Sequence, residues 1–225
     1  KGLPDNTILG HSQYEEFGYV ADGIFQDADE VAAWPTQIGA APGRIKYKDL
    51  NGDKVLNSLD QDWIGTYLPK LEYGLRVNLG YKNFDFSVFG SGVAGRKGVD
   101  AYIYYNNFVE SRENAAPGTL DAWTASNKSS DIPAATIVDN NNEKRMSTYL
   151  LRNNSYFKLR SLQIGYNLPL DLVKKAGMSQ LRVYFQGENM FWITPKGYIG
   201  SDPERTSIDR IPVPTSYSFG LSASF

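Results

Sequence analysis

The chain has 225 residues, of which 41% are hydrophobic, 21% charged and 13% aromatic, and 23 basic side chains against 25 acidic ones leave a net charge of -2. Glycine without a three-residue period and this aromatic content exclude collagen-like and disordered material, and the absence of a basic run excludes nucleic acid as a partner. With no cysteine, disulfide frameworks, thiolate metal sites and cysteine nucleophiles are excluded together.

Residues 1–5 carry no hydrophobic signal core and the chain does not start with Met, so a mature or clipped segment is expected. No run of about 18 apolar residues marks a transmembrane helix. The single histidine, His11 in Leu9-Gly10-His11-Ser12, has no second imidazole to join it and reads as a solvated loop residue without a site role.

The first informative segment is residues 49–60, Asp-Leu-Asn-Gly-Asp-Lys-Val-Leu-Asn-Ser-Leu-Asp. Oxygen-bearing side chains recur in the spacing of a twelve-residue calcium loop. Asp49, Asn51 and Asp53 supply three side chains, Val55 a backbone carbonyl and Asp60 the closing carboxylate for one structural Ca2+. Lys54 stands where such loops place glycine, and Asp60 replaces the longer glutamate. An Asn-Gly turn decorated with solvated acids is the other reading.

Strict alternation begins at Leu71. Leu71, Tyr73, Leu75, Val77, Leu79 and Tyr81 share one face, while Glu72, Gly74, Arg76, Asn78 and Gly80 share the other, as in a strand with one apolar side. A turn at Lys82-Asn83 leads into residues 84–88 and completes a hairpin. The long link that follows carries Tyr102, Tyr104, Tyr105 and Trp123, aromatic faces suited to stacking on sugar rings or to packing within the loop. Residues 161–168, 181–186 and 217–225 alternate in the same way. Parity breaks upstream of Ser161, at Tyr156, Lys158 and Arg160, and after Phe185, at Gly187 and Asn189, where a bulge is expected.

Links between these five strands alternate short and long, as in transmembrane β-barrels, and the polar face of Gly, Ser, Asn and Gln suits a wet lumen. Five strands cannot close a barrel, and an open edge in lipid leaves backbone groups unpaired, so a fragment is expected. Acids such as Asp121, Asp131, Glu188 and Asp202 show no spacing that pairs two for catalysis, and no phosphate loop is present. No catalytic residue is assigned and the chain reads as a non-enzyme.

Several motifs carry a family resemblance. They are Gly23-Ile24-Phe25-Gln26, Pro42-Gly43-Arg44-Ile45-Lys46-Tyr47-Lys48-Asp49, Leu68-Pro69-Lys70, Leu120-Asp121-Ala122-Trp123-Thr124, Ser155-Tyr156-Phe157-Lys158-Leu159-Arg160, Gly165-Tyr166-Asn167-Leu168-Pro169 and Gly187-Glu188-Asn189. In this order the chain resembles the closing part of SusC-type TonB-dependent outer-membrane transporters of Bacteroidota.

The resemblance implies an all-β fold, the C-terminal strands of a large antiparallel barrel of about 22 strands. Residues 1–70 become an extracellular loop region and residues 71–225 the last five strands with their loops, without plug or TonB box. It also implies uptake of glycans or peptides, an outer-membrane location in contact with lipid, a SusD-like lid lipoprotein, and the TonB complex acting through the missing N-terminal part. A secreted, calcium-stabilised β-sandwich that binds carbohydrate is the alternative left open by the residues themselves.

Overall fold

The computed structural model describes residues 10–108, 115, 117–198, 200, 202–205 and 211–225, so residues 1–5 lie outside the described part. Two short antiparallel pairs come first, β1 (Glu15–Tyr19) with β4 (Gln61–Thr66) and β2 (Ala21–Ile24) with β3 (Ile45–Tyr47). Helix α1 (Ala28–Ala33) lies between β2 and β3 and begins where the Asp27 side chain accepts the Glu30 amide at 2.9 Å, the usual satisfaction of an orphan N-terminal donor.

The main sheet has five antiparallel strands. In chain order they are β5 (Leu71–Tyr81), β6 (Phe84–Ala94), β9 (Tyr156–Asn167), β10 (Gln180–Ile193) and β11 (Ser216–Ser224), and in space the order is β11-β10-β9-β6-β5. Between β6 and β9 the chain forms β7 (Lys97–Val99), helix α2 (Ala101–Asn106) and β8 (Leu151–Asn153), with β7 paired to β8. A single turn, α3 (Leu170–Val173), fills the β9–β10 link. No helix of the described residues is long and apolar enough to cross a membrane.

The register keeps each apolar row in line. Leu79 pairs with Phe86, Phe86 with Ile164, Ile164 with Phe185 and Phe185 with Phe219, one continuous apolar stripe across all five strands. The parity break expected in β9 is a bulge. Ser161 pairs with Phe89 and Leu159 with Gly90, so Arg160 is the extra residue, and in β10 the extra residues are Asn189 and Met190. Asn189 takes φ 50° to make this step. The bulge returns Leu159 and Phe157 to the apolar side and turns Lys158 and Tyr156 to the polar one.

The apolar face is bare. Leu75 is 65%, Leu79 61%, Leu221 74% and Phe219 83% exposed, and among the described residues no second sheet covers it. A sandwich would bury these side chains between two sheets about 10 Å apart, so the sandwich alternative fails here. At 9 to 14 residues the five strands match the length a tilted strand needs to cross a bilayer.

Above one end of the sheet the loops pack into a lobe with its own core. Ile45, Tyr47 and Leu56 from the first region bury against Ile103, Phe108 and Leu150 from the β6–β9 link. This lobe therefore draws on residues from both sides of position 70.

Candidate functional site

The polar face of the sheet carries its charges in pairs. Asp85 of β6 accepts both the Nε and Nη2 hydrogens of Arg182 of β10, at 3.0 and 2.5 Å, reaching over Gly165 of the intervening β9. Asn78 accepts from Ser87 at 2.7 Å across β5 and β6.

Towards the lobe the same face holds a denser cluster. Lys158 and Arg160 from β9 meet Asp202 and Glu204 from the β10–β11 connection. Lys158 Nζ lies 3.3 Å from Asp202 Oδ2 and 3.1 Å from Glu204 Oε2, and both Lys158 and Asp202 are fully buried. Arg160 grips Glu204 with two parallel bonds of 2.6 and 2.5 Å, while its Nε donates to Ser91 at 2.8 Å. Such forked pairs are the strong form of a charged hydrogen bond. Tyr156 donates its hydroxyl to Glu204 at 3.0 Å. The Arg160 guanidinium, with Lys158 and Tyr156, holds the Glu204 carboxyl down at about 2 against the opposing effect of burial.

A cleft of about 1040 Å3 opens in the lobe, lined by Tyr102 with Asp22, Lys46, Lys128, Asp131 and Arg152 among others. Its size is that of a small-ligand or peptide site, and its wall mixes an aromatic ring with both signs of charge. Lys46 is itself engaged, pairing with Glu30, and that pairing holds the Glu30 carboxyl below the usual carboxylate range.

The four aromatic residues read as contact candidates do not converge. Tyr102, Tyr104 and Tyr105 lie on helix α2 rather than in an irregular loop, and of the four only Tyr102 lines the cleft. Tyr104 packs against the lobe core and edge-on to Tyr105 at 5.0 Å. Trp123 is 9% exposed and donates its indole hydrogen to Gln26 at 3.1 Å.

Residues 49–60 form one tight loop held by its own amides. Asp49 accepts from Gly52 and Lys54, both at 2.7 Å, Asn51 from Asp53 at 2.8 Å, and Asp53 from Val55 at 2.8 Å. That last bond keeps the Asp53 carboxyl below its ordinary range. Asp60 is fully buried and takes the amides of Leu50 at 3.0 Å and Asn57 at 2.8 Å. Lys54 adopts φ 64°, the left-handed conformation that glycine supplies at this place in calcium loops. Among the described residues no group of three or more His, Asp or Glu side chains comes together as a metal site.

Asp202, dismissed from sequence spacing as a catalytic acid, is instead part of the buried cluster, 44 residues from its Lys158 partner. Its only advance signal was the parity break at Lys158 and Arg160.

An antiparallel sheet with a bare apolar face, a paired polar face and a lobe of long loops at one end is a section of membrane-barrel wall. No family model matches the chain. It is 31% identical over 192 residues to TonB-dependent receptor P3 of Formosa agariphila, covering 84% of this chain and 18% of the receptor. It is 30% identical over 222 residues to TonB-dependent receptor SusC of Bacteroides thetaiotaomicron, covering 95% and 20%. TonB-dependent receptor P26 of Formosa agariphila aligns with 97% of the chain at 27% identity, over 23% of that receptor.

Among solved structures, the RagAB peptide transporter superposes on 94% of this chain and 22% of its own, with a TM-score of 0.69 and 21% identity. RagAB in its open-open state gives 0.67 at 22% identity. These structures share the fold. The chain belongs to the SusC-type TonB-dependent receptors, and it spans about a fifth of the length of the curated relatives it matches.

Proposed function

We propose that this chain forms wall strands and external loops of a TonB-dependent importer in the bacterial outer membrane, acting with a SusD-like lipoprotein lid to take up glycans or peptides. The bare apolar stripe from Leu79 to Phe219 carries the reading, because water offers such a surface no partner whereas hydrocarbon does. The paired polar face then borders the lumen, and residues 1–70 with the β6–β9 and β10–β11 connections face the exterior. Import is driven through TonB by parts of the protein outside this chain, and no catalytic step is assigned to these residues.

The test uses the full-length protein in its native cells. An antibody to residues 217–225 is expected to detect a heat-modifiable outer-membrane band that co-purifies with a surface lipoprotein. Deleting the gene is expected to abolish growth on one oligosaccharide or peptide source. A protein found in the soluble or secreted fraction overturns the proposal.

A structural Ca2+ held by Asp49, Asn51, Asp53, the Val55 carbonyl and Asp60 is a separate proposal, supported by the left-handed turn at Lys54. Calcium is expected to protect residues 49–60 of the full-length protein from protease, and to lose that effect in Asp49→Asn with Asp53→Asn.

A further inference from the structure

In the sheet β10 lies between β9 and β11, so a connection from β10 to β11 that reaches β9 must fold back over β10. Asp202, Pro203 and Glu204 do this. Their partners Lys158 and Arg160 belong to β9, and Lys158 pairs in register with Ser91 on one side and Trp192 on the other. Ser91 shares the β6 face of Asp85, so the contact sits on the polar side of the sheet. The Lys158 ammonium also lies 5.7 Å from the Trp192 ring of β10.

The turn is also fixed from the lobe side. Arg96, just past the end of β6, donates to the Pro203 carbonyl at 2.5 Å, and Asp202 accepts the amides of Glu204 and Val213, both at 2.9 Å. Lys158 and Asp202 are fully shielded from solvent, and a buried charge separated from its partner is strongly unfavourable. A connection merely resting on the surface would leave them wet.

We propose that the Asp202–Pro203–Glu204 turn is an internal tether, which stays fixed against the polar face of the sheet and stands in the way of a solute passing there. Passage of a solute here rests on the importer reading above, and the tether itself rests on the contacts alone.

The experiment makes two single-cysteine variants, Pro203→Cys and Leu120→Cys, in the full-length protein with any other cysteines replaced; Leu120 is 91% exposed and serves as the reference. Modification by a bulky polyethylene-glycol maleimide is followed in intact cells and in detergent extract. The Pro203→Cys variant is expected to react at least about tenfold more slowly than Leu120→Cys in both, the scale of one charged hydrogen bond's local opening. Equal rates overturn the tether.

Adding Glu204→Gln and Asp202→Asn to Pro203→Cys is expected to raise its rate about tenfold. An unchanged rate in an assembled, heat-modifiable variant also overturns it. Should Leu120→Cys react only after lysis, the external placement of the loops fails, while the ratio in detergent still decides the tether.

Discussion

Asp85 and Arg182 bridge three strands because the residue beneath them, Gly165, has no side chain. A Cβ on Gly165 would come within 2.4 Å of both Arg182 Nη2 and Asp85 Oδ1, and neither side chain could keep its fork. Gly165 pairs with Asp85 on one side and Tyr184 on the other, so it sits at the centre of the sheet. Gly165→Val is expected to lower the temperature at which the full-length barrel loses its folded gel band, by the equivalent of about 1–3 kcal/mol. Asp85→Asn, which breaks only a partly exposed pair, is expected to cost about 1 kcal/mol or less. Equal losses for the two would show that the glycine has no steric role.

The two faces of one strand predict opposite tolerances. Leu221 faces away from the polar side and is 74% exposed, while its neighbour Ser222 pairs with Arg182 on the polar face. Leu221→Lys is expected to reduce the folded outer-membrane level sharply, since a lysine on a lipid face near the midplane costs about 2–4 kcal/mol. Ser222→Lys is expected to leave it close to the parent, as water in the lumen solvates the charge. Quantitative blotting of heat-resistant and heat-sensitive bands measures both, and similar outcomes would sink the membrane assignment of this face.

The strands were readable because alternation with period two is a local signal, and β5 follows it from Leu71 to Tyr81 without a break. Even the bulge was visible, since Lys158 and Arg160 fall on the wrong parity unless one residue is inserted. What those two side chains bind was not readable. Glu204 lies 44 residues from Arg160, and Asp85 lies 97 from Arg182, so strand order rather than spacing brings them together. Helix α2 was hidden for a different reason. Six residues with three tyrosines give no amphipathic period, and its start depends on Asp100 capping the Tyr102 amide at 2.9 Å.

Glu204 gives the tether a pH dependence of known sign. Its carboxyl is lowered from 4.5 to about 2 by the Arg160 guanidinium. A depressed carboxyl stabilises the folded contact fully above its ordinary value and loses that contribution as the pH falls towards the lowered one. Cleavage beside Ile211, which is 80% exposed, by an acid-tolerant protease should stay flat from neutral pH down to 4.5. It should rise between 4.5 and about 2, normalised to cleavage at an exposed reference loop. A rise beginning near neutrality would mean that another group controls the contact.

Two aspartates of the 49–60 loop separate burial from mere hydrogen bonding. Asp60 is fully buried and accepts three amides, those of Leu50, Asn51 and Asn57. Asp60→Ala removes from a buried position the one carboxylate that these three amides share, a loss of about 1–3 kcal/mol. Asp53 makes the same kind of bond to Val55, yet Asp53 and Val55 are exposed and water substitutes readily. Protease cutting within residues 49–60 of the full-length protein is expected to accelerate strongly for Asp60→Ala and little for Asp53→Ala in calcium-free buffer. Comparable acceleration in the two would place the loop's stability in its turn geometry and not in the buried carboxylate.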